Sequence, residues 1–188
     1  CGTGCVAAAA VAVSEDGREL VFARETGRGS DLYVSWRSLE GWSDPAPLNL
    51  VNTAYDETDP HITPDGRFLL FASDRPDGSG GYDIWVSRHG DDGWTAAGNL
   101  GPRVNSEFHE QSPALFPGEN TLYFSSDRPV GTVTPGQRRR YWEDLVEGKV
   151  GRDYNFFLVE DFTLTGRRNP LRDPAYRKVT HIQYAANA

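Results

Sequence analysis

The sequence predicts an all-β fold: a β-propeller of about three four-stranded blades, forming part of a larger propeller. Three observations lead there. The stretch TPDGRFLLFASDRP (Thr63 to Pro76) recurs as FPGENTLYFSSDRP (Phe116 to Pro129) at an offset of 53 residues, and more faintly as SEDGRELVFARE (Ser14 to Glu25), 49 residues earlier. A period near 50 marks one supersecondary unit copied in series, each copy needing its neighbours to bury an apolar face. Within the copies apolar residues alternate, with Leu20 and Phe22, Leu69 and Phe71, and Leu122 and Phe124 in the same register. That period of two belongs to strands, and no long stretch shows the 3.6 period of a helix.

Each element of the unit has its own signal. In the second copy strand A is DPHIT, and a Pro-Asp-Gly turn leads to strand B, RFLLFAS. A glycine-rich loop, DRPDGSGGYD (Asp74 to Asp83), precedes strand C, YDIWVS from Tyr82, and strand D lies near AGNL. The first copy offers DLYVSW from Asp31 as its strand C, and the third YNFFLV from Tyr154. Trp42 and Trp94 each open a segment rich in Pro and Asn that ends in NLVN (Asn49 to Asn52) or NLGPRVN (Asn99 to Asn105). The expected blades span 6–52, 53–105 and 106–165, with an insertion at 130–153 and an irregular tail at 166–188 that holds one stray strand, THIQYA. Propellers close with about 4–8 blades, and an open arc leaves unpaired, partly apolar edges. The expectation is a segment of a larger propeller, or a small domain that assembles with a partner or a second copy of itself.

Composition narrows the function. With 38% apolar residues the chain can bury a core, and 19 Lys and Arg against 27 Asp and Glu give a net charge of −8. Such a charge disfavours phosphate backbones and anionic lipid, so nucleic acid is not expected as a partner. The longest smooth apolar stretch, Val6 to Val13, is far too short to span a bilayer. The only cysteines, Cys1 and Cys5, cannot staple the body of the fold and form no metal site by themselves. A mature chain that starts with cysteine is what lipoprotein processing leaves, which makes Cys1 a candidate lipid anchor. The plainer reading is an arbitrary fragment boundary.

The residues DPHITPDGRFLLFASDRP, GGYDIWVS and GWTAAGNLG, followed by VNSEFHEQSP, resemble the TolB-type propeller repeats of bacterial envelope proteins over about Val11 to Val159. The third copy departs from that pattern, with Gly118-Glu119 in place of Asp65-Gly66 and 19 extra residues in its B–C loop. The resemblance implies a periplasmic or outer-membrane-associated binding module, with an extracellular location as the alternative. It implies no cofactor.

Candidate site residues follow from loop geometry. The repeated triplets Ser73-Asp74-Arg75 and Ser126-Asp127-Arg128 read as architecture, with Asp and Arg satisfying turn amides and pairing with each other. Trp85 reads as packing between blades. The Asp74 to Asp83 loop lacks the pattern of a dedicated calcium loop and reads as a glycine-rich turn. Features that the repeat does not copy are better functional bets. In a propeller the D–A and B–C loops emerge on one face around the central channel. That face would carry Asp56, Glu57, Asp59 and His61, then Glu107, His109 and Glu110, a ring able to bind a cation, a basic peptide or a sugar. The insertion, with Arg138, Arg139, Arg140, Tyr141 and Trp142, reads as a short amphipathic helix or lid for partner contact.

No nucleophile elbow, zinc-protease motif or phosphate-binding glycine loop occurs in the sequence. The favoured reading is a non-catalytic module that binds a protein or a peptidoglycan-associated partner in the envelope. The alternative is a propeller glycan hydrolase of sialidase type, or the gating propeller of a serine peptidase, and it rests on fold analogy alone.

Overall fold

The structure is a computed structural model that describes residues 8–115, 121–129, 155–159, 162, 164 and 182–185. Its strands form three antiparallel sheets in chain order. The first holds β1 (Ala8–Val13), β2 (Glu19–Thr26) and β3 (Gly29–Ser38), with β4 (Gly41–Trp42) and β5 (Ala46–Pro47) both along the outer edge of β3. The second repeats this with β6 (Glu57–Ile62), β7 (Phe68–Ser73), β8 (Asp83–Gly90), β9 (Gly93–Trp94) and β10 (Gly98–Asn99). The third holds β11 (Glu110–Leu115), β12 (Leu122–Ser126), β13 (Asn155–Val159) and β14 (Ile182–Ala185). Strand β14 comes from the THIQYA segment and pairs with β13 in the register Phe157↔Tyr184, so it forms the outer strand of the third blade rather than a stray element.

The repeated sequences produce repeated local structure. In SEDGR and TPDGR the turn is closed by Gly17 N donating to Ser14 O and Gly66 N to Thr63 O, both at 2.8 Å. Gly17 and Gly66 each have φ +67, a left-handed conformation that glycine adopts without a Cβ penalty. The Ser14 and Thr63 hydroxyls each donate to the turn aspartate, Asp16 or Asp65, at 2.6 Å. Further out, the outer edge of the first blade consists of the short pieces β4 and β5 and that of the second of β9 and β10, although only the first carries prolines there, at 45 and 47.

The hydrophobic cores lie between blades, not within them. One joins Val21, Ala23, Leu32 and Val34 of the first blade to Leu69 and Phe71 of the second. The other joins Phe68, Leu70, Ile84 and Val86 of the second blade to Leu122 and Phe124 of the third. Strand β7 is buried at every position because its odd and even residues pack on different neighbours. Its near-continuous apolar sequence, FLLFA, is the consequence. On the outward face of the first blade Phe22 stacks on Tyr33 with centroids 6.1 Å apart, and Arg24 lies over Tyr33.

The NLVN and NLGPRVN segments acquire a structural meaning. Asn52 accepts from Leu32 N and donates to Leu32 O, both at 2.9 Å. Asn105 does the same to Ile84, at 2.8 and 2.9 Å. Each amide acts as a strand residue that ties the linker between blades to the middle of the preceding sheet. Replacing Asn105 by alanine removes both bonds and takes the acceptor from the buried Ile84 N–H, while Ile84 O keeps its bond from Leu100 N at 3.1 Å. The expected loss is about 2 kcal/mol of unfolding free energy, read from urea denaturation, with Asn52→Ala close to it.

Candidate functional site

Asp56, Glu57, Asp59, His61, His109 and Glu110 are all in scaffold contacts, while Glu107 is exposed. Glu57 and Glu110 begin the inner strands β6 and β11, and each is 0% exposed. Glu57 Oε1 accepts from Thr53 Oγ1 at 2.6 Å, Ser73 Oγ at 3.1 Å and Arg75 Nη2 at 2.9 Å, while Oε2 accepts from Thr53 N at 2.9 Å. Glu110 repeats this with Ser106, Ser126 and Arg128, the ion pair closing at 2.7 Å. Each arginine also donates through Nη2 to a linker carbonyl, Val51 O or Val104 O. The guanidiniums lie over aromatic rings, Arg75 at 4.8 Å from Trp85 and Arg128 at 4.9 Å from Phe157. Burial pulls the Arg75 guanidinium below its ordinary value and Glu57 opposes the shift.

The serine–aspartate–arginine triplets therefore work differently from the expectation. The arginines pair with a glutamate 18 residues upstream, while Asp74 and Asp127 accept from the backbone N–H of Asp56 and His109, at 2.9 and 2.8 Å. Glu57 and Glu110 sit inside the blades instead of on a ligand-facing rim.

Asp56 and His109 occupy equivalent positions and do one job with different chemistry. Asp56 Oδ1 accepts from Ser30 N at 3.0 Å, and His109 Nδ1 accepts from Tyr82 N at 3.1 Å. Both bonds reach back to the start of strand C in the preceding blade. Neutral His109 consequently carries its proton on Nε2. The neighbouring glycines make room, because a Cβ on Gly29 would meet the Asp56 carboxylate and one on Gly81 the His109 ring. Asp56 Oδ2 also accepts from Tyr82 Oη at 2.7 Å; burial first, and this carboxylate second, push the Tyr82 phenol up.

His61 and Asp59 fasten the inner strands of blades two and three. His61 Nε2 lies 2.9 Å from Leu115 N and 3.1 Å from Leu115 O, and burial holds the imidazole below its ordinary value against the opposing bond to Leu115. Asp59 Oδ2 accepts from Ser112 N and Ser112 Oγ at 3.0 and 3.2 Å. Asp59 and Ser112 share positive φ values of 50 and 51, each at the bulge of its strand. In the glycine-rich loop Asp83 Oδ2 accepts from Ser79 N at 2.5 Å, and burial pushes the carboxyl up to about 6. Among the described residues no group of three or more His, Cys, Asp or Glu converges on a metal-sized site. The expected contact residues Arg138, Arg139, Arg140, Tyr141 and Trp142, and the candidate anchor Cys1, lie outside the described residues.

A concave site lies on the opposite face, where the A–B turns and the strand C to strand D turns emerge. Between blades one and two is a cavity of about 650 Å³ lined in part by Asp16, Glu19, Trp36, Asp65 and His89. A second of about 440 Å³ shares Glu19, Trp36 and His89 and extends to Asp91, Asp92 and Trp94. Glu19 Oε1 accepts from Trp94 Nε1 at 2.8 Å, and its Oε2 lies 3.8 Å from His89 Nε2. His89 meets Trp94 edge to face at 4.7 Å, while Trp36 is 49% exposed. The sequence signal existed. Glu19 stands where the second copy has Phe68, and Trp36 where it has Arg88, so both break the repeat.

Two measurements check these assignments. Glu57→Gln leaves a buried guanidinium without its counter-charge and is expected to cost about 3–5 kcal/mol, seen as a lowered thermal midpoint. For Asp83 the folded value is above the unfolded one, so its ionisation weakens the fold as pH rises from about 4 to about 6. Asp83→Asn, which keeps the Oδ acceptor, is therefore expected to gain stability relative to the parent across that window in urea titrations at fixed pH.

No family model matches the sequence, and no curated protein matches it significantly. Solved structures do resemble it. A putative TolB from Agrobacterium tumefaciens aligns over 86% of this chain and 49% of its own, at 16% identity and a TM-score of 0.55. TolB from Acinetobacter baumannii aligns over 82% of this chain and 30% of its own, at 15% identity and a TM-score of 0.51. The chain thus spans about half the length of the first and under a third of the second, and the likeness is one of fold: a TolB-like β-propeller.

Proposed function

We propose that this chain is a non-catalytic binding module of the bacterial cell envelope, a TolB-like propeller segment that presents loops and grooves to a protein or peptidoglycan-associated partner. One observation carries the reading. The acids and imidazoles best suited to acid–base chemistry on the D–A face, Glu57, His61, His109 and Glu110, are held in contacts between or within blades. A half-exposed tryptophan and several carboxylates meanwhile line an open concavity between blades one and two. Aromatic residues in concave surface are the usual anchors of recognition.

The envelope location rests on the sequence resemblance and on the fold likeness to TolB. Within the same proposal Arg138 to Trp142 in the insertion contact the partner. The outward faces of the first and third blades, where Val13 and Phe156 are exposed, suit further blades or a second copy. Among the described residues no helix is long and apolar enough to cross a membrane.

The test uses the full chain carrying a photo-crosslinking residue at position 39 in the loop beside Trp36, expressed in the periplasm of a Gram-negative host. A discrete adduct with an envelope protein is expected, and purified protein is expected to release no fragments from peptidoglycan sacculi or peptides. Turnover of either substrate, retained through repeated purification, overturns the non-catalytic reading.

A further inference from the structure

We infer that the groove between blades one and two receives the cationic side chain, arginine or lysine, of an extended segment of a partner protein. The inference rests on the binding-module reading above and gives it a site and a chemistry.

Charge is the first argument. Residues 1–129 hold 9 Arg and 20 Asp plus Glu, and residues 130–188 hold 10 Lys plus Arg against 7 acids, so the negative charge of the chain is concentrated in its first 129 residues, which include the whole of blades one and two. The groove concentrates it further. Glu15, Asp16, Glu19 and Asp65 line one end and Asp91 and Asp92 the other, with Arg18 and His89 among them. A cleft with one sign of charge on low-dielectric walls focuses the field and attracts the opposite ion.

Shape and preorganisation are independent of charge. Trp36 forms an apolar wall shared by both halves of the groove, and an indole face beside carboxylates is the environment in which a guanidinium both stacks and pairs. Glu19 is fixed by the Trp94 indole through Oε1, so its position costs nothing to organise at the moment of binding. Asp16 and Asp65 use Oδ1 within their own turns, accepting from Arg18 N and Arg67 N at 3.0 and 3.1 Å, which fixes both carboxylates without involving Oδ2. A volume of about 650 Å³ accommodates one or two long side chains with their backbone. A neutral sugar could use the indole but would leave this many carboxylates without counter-charge, which favours the cation.

The experiment titrates the full chain with acetyl-triarginine amide, its citrulline counterpart, which has the same shape without charge, and an N-acetylglucosamine oligomer, by isothermal calorimetry at low salt. The arginine peptide is expected to bind about tenfold or more tightly than the citrulline peptide, and to weaken as salt rises. Trp36→Ala is expected to lower that affinity by about fivefold to tenfold, Trp36→Phe by much less, and Asp91→Asn with Asp92→Asn by severalfold together with a flatter salt dependence. Thermal melts confirm that each variant is folded; should Trp36→Ala unfold, the Asp91 and Asp92 pair carries the test. Equal binding of the two peptides, indifference to these substitutions in folded protein, or preference for the sugar overturns the inference. An envelope adduct that persists in the groove variants removes the groove assignment alone, whereas no adduct with the parent chain removes the binding-module reading itself.

Discussion

A glutamate withdrawn from water at the head of an inner strand organises the joint between one blade and the next. Burying a carboxylate is costly unless its charge is matched and its lone pairs are filled. Glu57 and Glu110 meet that demand by collecting an arginine, a serine from strand B and a hydroxyl and N–H from the linker. The same arginine then grips a linker carbonyl and covers the aromatic ring of strand C. Linker, hairpin and interblade core are thereby coupled, and loosening one exposes a charge.

The first blade does without this device. At the positions equivalent to Glu57, Ser73 and Arg75 it has Ala8, Arg24 and Thr26. Its inner strand, Ala-rich, packs against β6 through small residues, and its Arg24 turns outward onto Tyr33. Glu19 is the acid that joins the first blade to the second, bonded to Trp94 at the other end of the sheet. The joint between blades one and two thus has a buried lock at one face and an open, acidic groove at the other.

Repetition proved a sound guide to architecture, but residue identity was a poor guide to its absence. Asp56 and His109 looked unlike each other and so looked functional, yet both accept a backbone N–H at the entry to strand C of the preceding blade. A carboxylate and a neutral imidazole are interchangeable when the task is to accept one hydrogen bond. Comparing position by position, instead of by residue type within a loop, marks Glu19 and Trp36, which stand where the second copy has Phe68 and Arg88, among the departures from the repeat.

The sequence by itself determined the copied unit, the strand identity of LVF, LLF and LYF, the aspartate–glycine turns and the blade architecture, because periodicity and turn chemistry are local properties written in consecutive residues. It also marked the triplet arginines and Trp85 as structural. Only the tertiary structure decided that the arginines pair with distant glutamates, that THIQYA closes the third sheet, and that the concave surface lies on the turn face. Those outcomes depend on which residues from different blades arrive at the same place. The cost of burying unpaired charge and unfilled hydrogen bonds is settled there, between sheets, where no single stretch of sequence records it.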